Sequence, residues 1–130
     1  ERDTEGPITL AVRHCKKQLK EYFEGKRKEF NVPIDPDGTD FQKEVWGALL
    51  DIPFGKTSTY AKQSVALGDL KKIRAVGTAN GKNPIAIIIP CHRVISTDGS
   101  LTGYAGGLDK KEWLLRHEES MPGQNQTSMF

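Results

Sequence analysis

The chain has 130 residues, enough for one modest domain and an appendage, and its 36% hydrophobic and 28% charged residues are an ordinary balance for a soluble protein. A formal net charge of +2 excludes a general polycation, so any affinity for nucleic acid must come from where the charges sit. No apolar stretch reaches the roughly 18 residues of a membrane-spanning helix, and the charged first residues have no apolar segment behind them, so neither a spanning helix nor a signal peptide is expected. Cys15 and Cys91 lie far apart and outside any CxxC, which points to reduced thiols in an intracellular protein rather than a disulfide framework. His14, His92 and His117 have no cysteine pair at zinc spacing, so no metal is expected.

In chain order, residues 8–24 read as an amphipathic helix, with Ile8, Val12, Cys15, Leu19 and Phe23 as its apolar stripe and Gly25 as its stop. Arg13, Lys16, Lys17 and Lys20 form its solvated face. The stretch NVPIDPDG, residues 31–38, is a linker by composition. In TDFQKEVWGALLDIP, Thr39 and Gln42 make a capping box, Phe41, Val45 and Leu49 line one face beside Trp46 and Leu50, and Pro53 ends the helix. A short helix follows in TSTYAKQSVALG, capped by Thr57 or Ser58; Gly68 breaks it and Asp69 caps the next helix, LKKIRAVGTANG. Helix, glycine turn and helix together make a helix-turn-helix pattern. The apolar run of NPIAIIIP predicts a short buried strand or extended segment. A glycine-rich loop around Tyr104 leads to a last helix, capped by Asp109 and Glu112, carrying Trp113, Leu114 and Leu115 and reaching Glu118. Residues 120–130 read as a disordered tail.

Two features carry chemistry. Cys91 directly follows the apolar run and stands beside His92 in IPCHRVI. A thiol becomes a nucleophile as thiolate, an imidazole can take its proton, and a carboxylate behind the imidazole can orient it. Neighbouring side chains on a turn diverge, so the proton path runs through a bridging water. Glu112, Glu118 and Glu119 are the candidate carboxylates. The second feature is the helix after Asp69: Lys71, Lys72 and Arg74 can answer phosphates, while the small residues Ala75, Gly77, Ala79 and Gly81 let its backbone approach a groove.

Six ordered pieces, FQKEVW, IPFGKTSTY, RAVGTANGKNP, IPCHRVI, GYAGG and EWLLRHE, resemble the O6-alkylguanine-DNA alkyltransferases, also called methylated-DNA–protein-cysteine methyltransferases, from Phe41 to Glu118. The resemblance implies an α+β, mainly α fold: a helix-turn-helix, winged-helix-like alkyltransferase domain with short strands over residues 38–119. Residues 1–37 would be the helix and linker of an N-terminal domain of which most is missing. It further implies a single-turnover, suicidal transferase in which Cys91 takes the alkyl group irreversibly as a thioether. His92 would act through water, backed by Glu118. Asn83 would be the hinge between helix-turn-helix and active-site segment, and Tyr60 would help rotate the nucleotide and contact the base. Arg74 would fill the vacated stack, with Ala75, Gly77, Thr78, Lys71 and Lys72 along the DNA. Tyr104, Ala105, Gly106 and Val94 would line the pocket, and the carbonyls of Cys91 and Val94 would accept from the guanine amino group. No cofactor is implied.

Each role has a physical reason. An alkyl group on O6 is buried in the duplex, so the nucleotide must be everted, and a side chain that replaces it recovers part of the cost. The partner implied is double-stranded DNA carrying O6-alkylguanine, bound as a monomer from the minor groove. The location would be cytoplasmic in a bacterium and nuclear in a eukaryote. Ile73 and Thr78 depart from the resemblance, standing where small residues are frequent, and Ala105 stands where some members carry serine. The readings set against repair are a damage-recognition module that does not transfer, and a transcription regulator, for which an alkylatable cysteine would be superfluous.

Overall fold

The computed structural model describes residues 7–122; residues 123–130 of the expected tail lie outside the described residues, as does the side chain of Ile8. The chain divides into two compact units, Glu1–Asp35 and Pro36–Phe130. Helices dominate, and the only sheet among the described residues is a pair of two-residue strands, an α+β and mainly α architecture.

The first unit is built on helix α1, Pro7–Phe23. Its buried face is rotated from the expected stripe: Val12 and Phe23 are 49% and 46% exposed, whereas Gln18 and Tyr22 are buried. Gln18 explains the shift. Its side-chain oxygen accepts from the Asn31 backbone N–H at 3.0 Å and its amide nitrogen donates to Asn31 Oδ1, so a polar residue anchors the returning chain. Gly25 does stop the helix, with φ +78 in the left-handed region that favours glycine. An Arg27–Glu21 ion pair at 2.8 Å braces the turn.

The second unit begins with α2, Asp40–Leu50, whose capping box of Thr39 and Gln42 is present in both directions. Val45, Trp46 and Leu49 are buried, while Leu50 points out at 48% exposure. The helix ends at Leu50, ahead of Pro53. Strand β1, Ser58–Thr59, then pairs in parallel with β2, Val94–Ile95, in the register Ser58 to Val94 and Thr59 to Ile95. This pairing moves the next helix start: α3, Tyr60–Ala66, is capped by Thr59, whose hydroxyl accepts from Lys62 N, rather than by Thr57 or Ser58.

Gly68, at φ +105, makes the turn, and Asp69 caps a 3-10 turn over Leu70–Lys72 that runs into α4, Ile73–Gly81. Two buried contacts hold α4. Trp46 Nε1 donates to the Ala79 carbonyl at 2.9 Å, and Gln63 and Asn80 exchange reciprocal amide hydrogen bonds at 3.1 and 2.9 Å. Each amide of that pair both donates and accepts, so the polar seam specifies one packing of α3 on α4.

Residues 84–90 do not form the expected strand. The run folds into a tight loop with Ile88 N donating to Ala86 O and Ile89 N to Ile85 O, and Ile87 takes φ +75. Ile88 and Ile89 are buried nonetheless, which accounts for the apolar composition. A positive φ at a β-branched residue is strained by about 1–3 kcal/mol and persists only where surrounding bonds enforce it. Helix α5, Leu108–His117, starts from Gly107 at φ +107, with Asp109 inside its first turn rather than at the cap. Its inward stripe is Lys111, Leu114, Leu115 and Glu118, apolar in the middle and polar at both ends.

Gly38 is required by the buried indole: a Cβ there would meet the Trp46 ring at 2.6 Å and Gln42 Oε1 at 2.8 Å. Gly38→Ala is therefore expected to cost about 1–3 kcal/mol in denaturant unfolding, with an unchanged m-value.

Candidate active site

Cys91, His92 and Arg93 occupy a 3-10 turn immediately before β2. On this turn Cys91 meets Asn83, while His92 and Arg93 are buried against one carboxylate, Glu118. Cys91 is half-buried. Asn83 Nδ2 donates to its sulfur at 3.2 Å and to the Ile89 carbonyl at 2.7 Å, while Asn83 Oδ1 accepts from Ile85 N at 2.9 Å. One carboxamide thus closes both ends of the 85–89 loop and presents a donor to the thiol. Burial pushes the Cys91 thiol up from its ordinary value, against the opposing Asn83 hydrogen bond and the Lys111 charge. At neutral pH the resting sulfur is therefore a thiol, and a thiol becomes a strong nucleophile only when a base takes its proton.

His92 is that base. It is fully buried, and its Nε2 lies 2.8 Å from Glu118 Oε2. A carboxylate only accepts, so Nε2 carries the hydrogen and Nδ1 keeps a lone pair. Nδ1 is also the one buried side-chain nitrogen or oxygen among the described residues without a hydrogen-bond partner. Burial lowers the His92 pKa, with Glu118 pulling the other way, so the ring is neutral at physiological pH and Nδ1 can accept. A buried, unpaired acceptor of this kind is where a bridging water binds.

Glu118 is held in turn by Arg93, with Nε to Oε1 at 2.8 Å and Nη2 to Oε2 at 3.0 Å, and Arg93 Nη1 donates to the Ile52 carbonyl at 2.6 Å. Of the other candidate carboxylates, Glu112 pairs with Arg116 on the exposed side of α5, and Glu119 is exposed.

Around the thiol stand two phenols and an amine. Tyr60, at the start of α3, donates to the Thr102 carbonyl at 3.1 Å. Tyr104 is half-buried, and burial followed by the nearby Cys91 pushes its phenol up to about 12. Lys111 donates to the same Thr102 carbonyl at 2.8 Å and lies 5.7 Å from the Tyr60 ring centre. Burial lowers the Lys111 ammonium to about 8, while Cys91 acts in the opposite sense. Gly106 seats Tyr104, since a Cβ there would meet its ring at 3.1 Å. Val94 is buried on β2, whereas Ala105 is exposed in the loop.

Beside this site opens a cleft of about 430 Å³. Tyr60, Ile73, Arg74, Gly77 and Thr78 line one side, with Thr102 and Gly103 across from them. Ala75 is exposed on α4 without lining the cleft, and Lys71 and Lys72 are exposed on the preceding turn, Lys72 over the Phe41 ring. The structure therefore brings Cys91, His92, Glu118, Asn83, Tyr60 and Tyr104 into one neighbourhood and sets Arg74, Gly77 and Thr78 on its rim. Sequence reasoning assigned no role to Arg93 or Lys111. Arg93 stands inside the IPCHRVI motif, directly after His92. Lys111 was legible only as the polar end of the stripe formed with Leu114, Leu115 and Glu118.

A half-buried thiol with an amide donor, set beside a helix-turn-helix, is the arrangement expected of a cysteine nucleophile that acts on DNA. Residues 40–120 match the DNA-binding domain of 6-O-methylguanine DNA methyltransferase, and residues 5–36 match the ribonuclease-like domain of the same proteins. The methylated-DNA–protein-cysteine methyltransferase of Methanosarcina barkeri is 57% identical over 108 residues, covering 83% of this chain and 68% of that protein. That of Mycobacterium tuberculosis is 54% identical over 103 residues, covering 79% of this chain and 62% of that protein. The crystal structure of Mycobacterium tuberculosis OGT in complex with DNA superposes with a TM-score of 0.81 at 51% identity, covering 84% of this chain and 68% of that one. The chain belongs to the 6-O-methylguanine DNA methyltransferase family.

Two outcomes test the site. Glu118→Gln removes the anion facing buried Arg93 and should cost about 3–5 kcal/mol in unfolding free energy, measured by chemical denaturation. Because the His92 pKa lies below its usual 6.5, the imidazole stays neutral, and able to take a proton from Cys91, as pH falls through that value. Thiol alkylation should therefore hold its rate through pH 6.5 and fall only at lower pH, measured by timed quench and intact mass; half-loss at or above pH 6.5 would contradict the assignment of His92.

Proposed function

We propose that Cys91 is the acceptor that removes alkyl groups from O6 of guanine in double-stranded DNA. The protein is a DNA-repair methyltransferase that uses its own thiol once. The observation that carries this reading is the unpaired Nδ1 of buried His92, fixed by Glu118 beside a thiol that needs a base.

The chemistry balances within the chain. A water accepts the Cys91 proton and passes one to His92 Nδ1. The imidazolium is stabilised by Glu118, whose own position is set by Arg93. The sulfur attacks the alkyl carbon, the bond between that carbon and O6 breaks, and a thioether forms. Asn83 Nδ2 stabilises negative charge on sulfur as the proton leaves. Tyr60, kept protonated by burial, donates a proton to the departing purine. Tyr104 packs near the alkyl group, and the carbonyls of Cys91 and Val94 receive the guanine amino group.

The lesion reaches sulfur only if the nucleotide leaves the helix, so DNA lies against α4 and the cleft. Arg74 fills the gap because its planar cation can stack as well as answer phosphate. The approach is from the minor groove, where degenerate readout suits repair in any sequence. Lys71 and Lys72 add contacts to the backbone, and binding weakens steeply with salt. The protein acts as a monomer, inside the cell where DNA is. The recognition-only reading is disfavoured because the thiol, its donor and its base are all retained.

Incubation with a duplex containing O6-methylguanine should raise the intact mass by one methylene per protein, with Cys91→Ala unchanged. Binding without any mass gain would reverse the conclusion in favour of a recognition module.

A further inference from the structure

Ile73 is the first residue of α4 and stands at 39% exposure beside Arg74 on the wall of the cleft. Its exposure is not explained by the helix's own packing, because Val76, Ala79 and Asn80 supply the buried face of α4. The residues around it are Lys71, Lys72 and Arg74, all exposed, so a branched aliphatic side chain projects from a cationic turn. Leu70 on the adjoining turn is also exposed but does not line the cleft, and α4 otherwise gives the cleft Arg74, Gly77 and Thr78, which leaves Ile73 the largest apolar group that α4 contributes there. A β-branched side chain in a helix is stiff about χ1, so it holds its direction with little entropy to lose. The helix beneath is fixed by the Gln63–Asn80 amide pair and by Trp46 on the Ala79 carbonyl.

We infer that Ile73 is an apolar wedge acting with Arg74, pressed against the base step beside the everted nucleotide. The inference rests on the reading of α4 as the DNA-facing helix and adds a second, uncharged contributor to eversion. Proteins that open the minor groove use aliphatic side chains to unstack a base step, and a rigid isoleucine meets that requirement. Arg74 replaces the base that leaves; Ile73 holds apart the neighbouring step so that it does not close. Flexible pyrimidine–purine steps unstack more readily, so the wedge also makes repair faster at lesions flanked by such steps.

The test compares Cys91 alkylation by duplex O6-methylguanine with alkylation by free O6-benzylguanine, which needs no eversion. Ile73→Ala should slow the duplex reaction about tenfold, because the shorter side chain no longer covers the faces of the opened step, and leave the free-base reaction unchanged. Ile73→Val, still β-branched, should keep most of the duplex rate. In the wild type, a pyrimidine–purine context should outpace an A-tract context, and Ile73→Ala should narrow that difference. The inference is overturned if Ile73→Ala repairs duplex as fast as the wild type or faster, or if both reactions slow together. If wild-type protein reacts with neither substrate, the acceptor role of Cys91 falls, and the wedge falls with it.

Discussion

The Asn83 carboxamide is the contact on which the site is built. The loop from Ile85 to Ile89 has no sheet partner and contains a β-branched residue at φ +75, so its shape must be imposed by bonds outside the regular elements. Asn83 imposes it with three: one to the start of the loop, one to its end and one to the sulfur just beyond. Strain, loop closure and thiol polarisation therefore meet in one side chain. Because α4 ends at Gly81, two residues earlier, the same amide also fixes how that helix hands over to the turn that carries Cys91.

The buried charges follow a matching logic. Glu118 sits between an imidazole and a guanidinium, and Arg93 brings a permanent positive charge against both of its oxygens. An isolated carboxylate at this depth would be costly; a bidentate partner offsets that cost and leaves the histidine free to change its charge. Lys111 places a second cation near the thiol, and its hydrogen bond to Thr102 holds the loop that also receives Tyr60.

Much of this was legible in the sequence. Local rules found α2 through the Thr39–Gln42 box and the helix-turn-helix through Gly68 and Asp69, because caps and left-handed glycines depend on neighbours a few residues away. The ordered motifs singled out Cys91, His92, Asn83, Tyr60 and Glu118, which the fold brings into one neighbourhood. The misses have non-local causes. The cap of α3 fell on Thr59 because Ser58 and Thr59 pair with Val94 and Ile95, which no local rule sees. The run before Cys91 looked like a strand because it is apolar and buried, but its ends bond to each other and to Asn83, not to a neighbouring strand. Lys111 escaped because lysines are read as surface, and the α1 stripe was misplaced because Gln18 owes its burial to Asn31.

The two-residue parallel pairing has a consequence for how the protein comes into being. It joins segments separated by the whole helix-turn-helix, and it cannot close until both have been made. Non-local pairings of this sort form late, whereas helix pairs form early. During synthesis the chain thus possesses its helix-turn-helix before Cys91 exists, and Glu118, the hydrogen-bond partner of His92, arrives later still. A ribosome-bound fragment ending near Gly107 would hold the thiol without its carboxylate. The surroundings of Cys91 are thus completed last, by the order in which the chain is written.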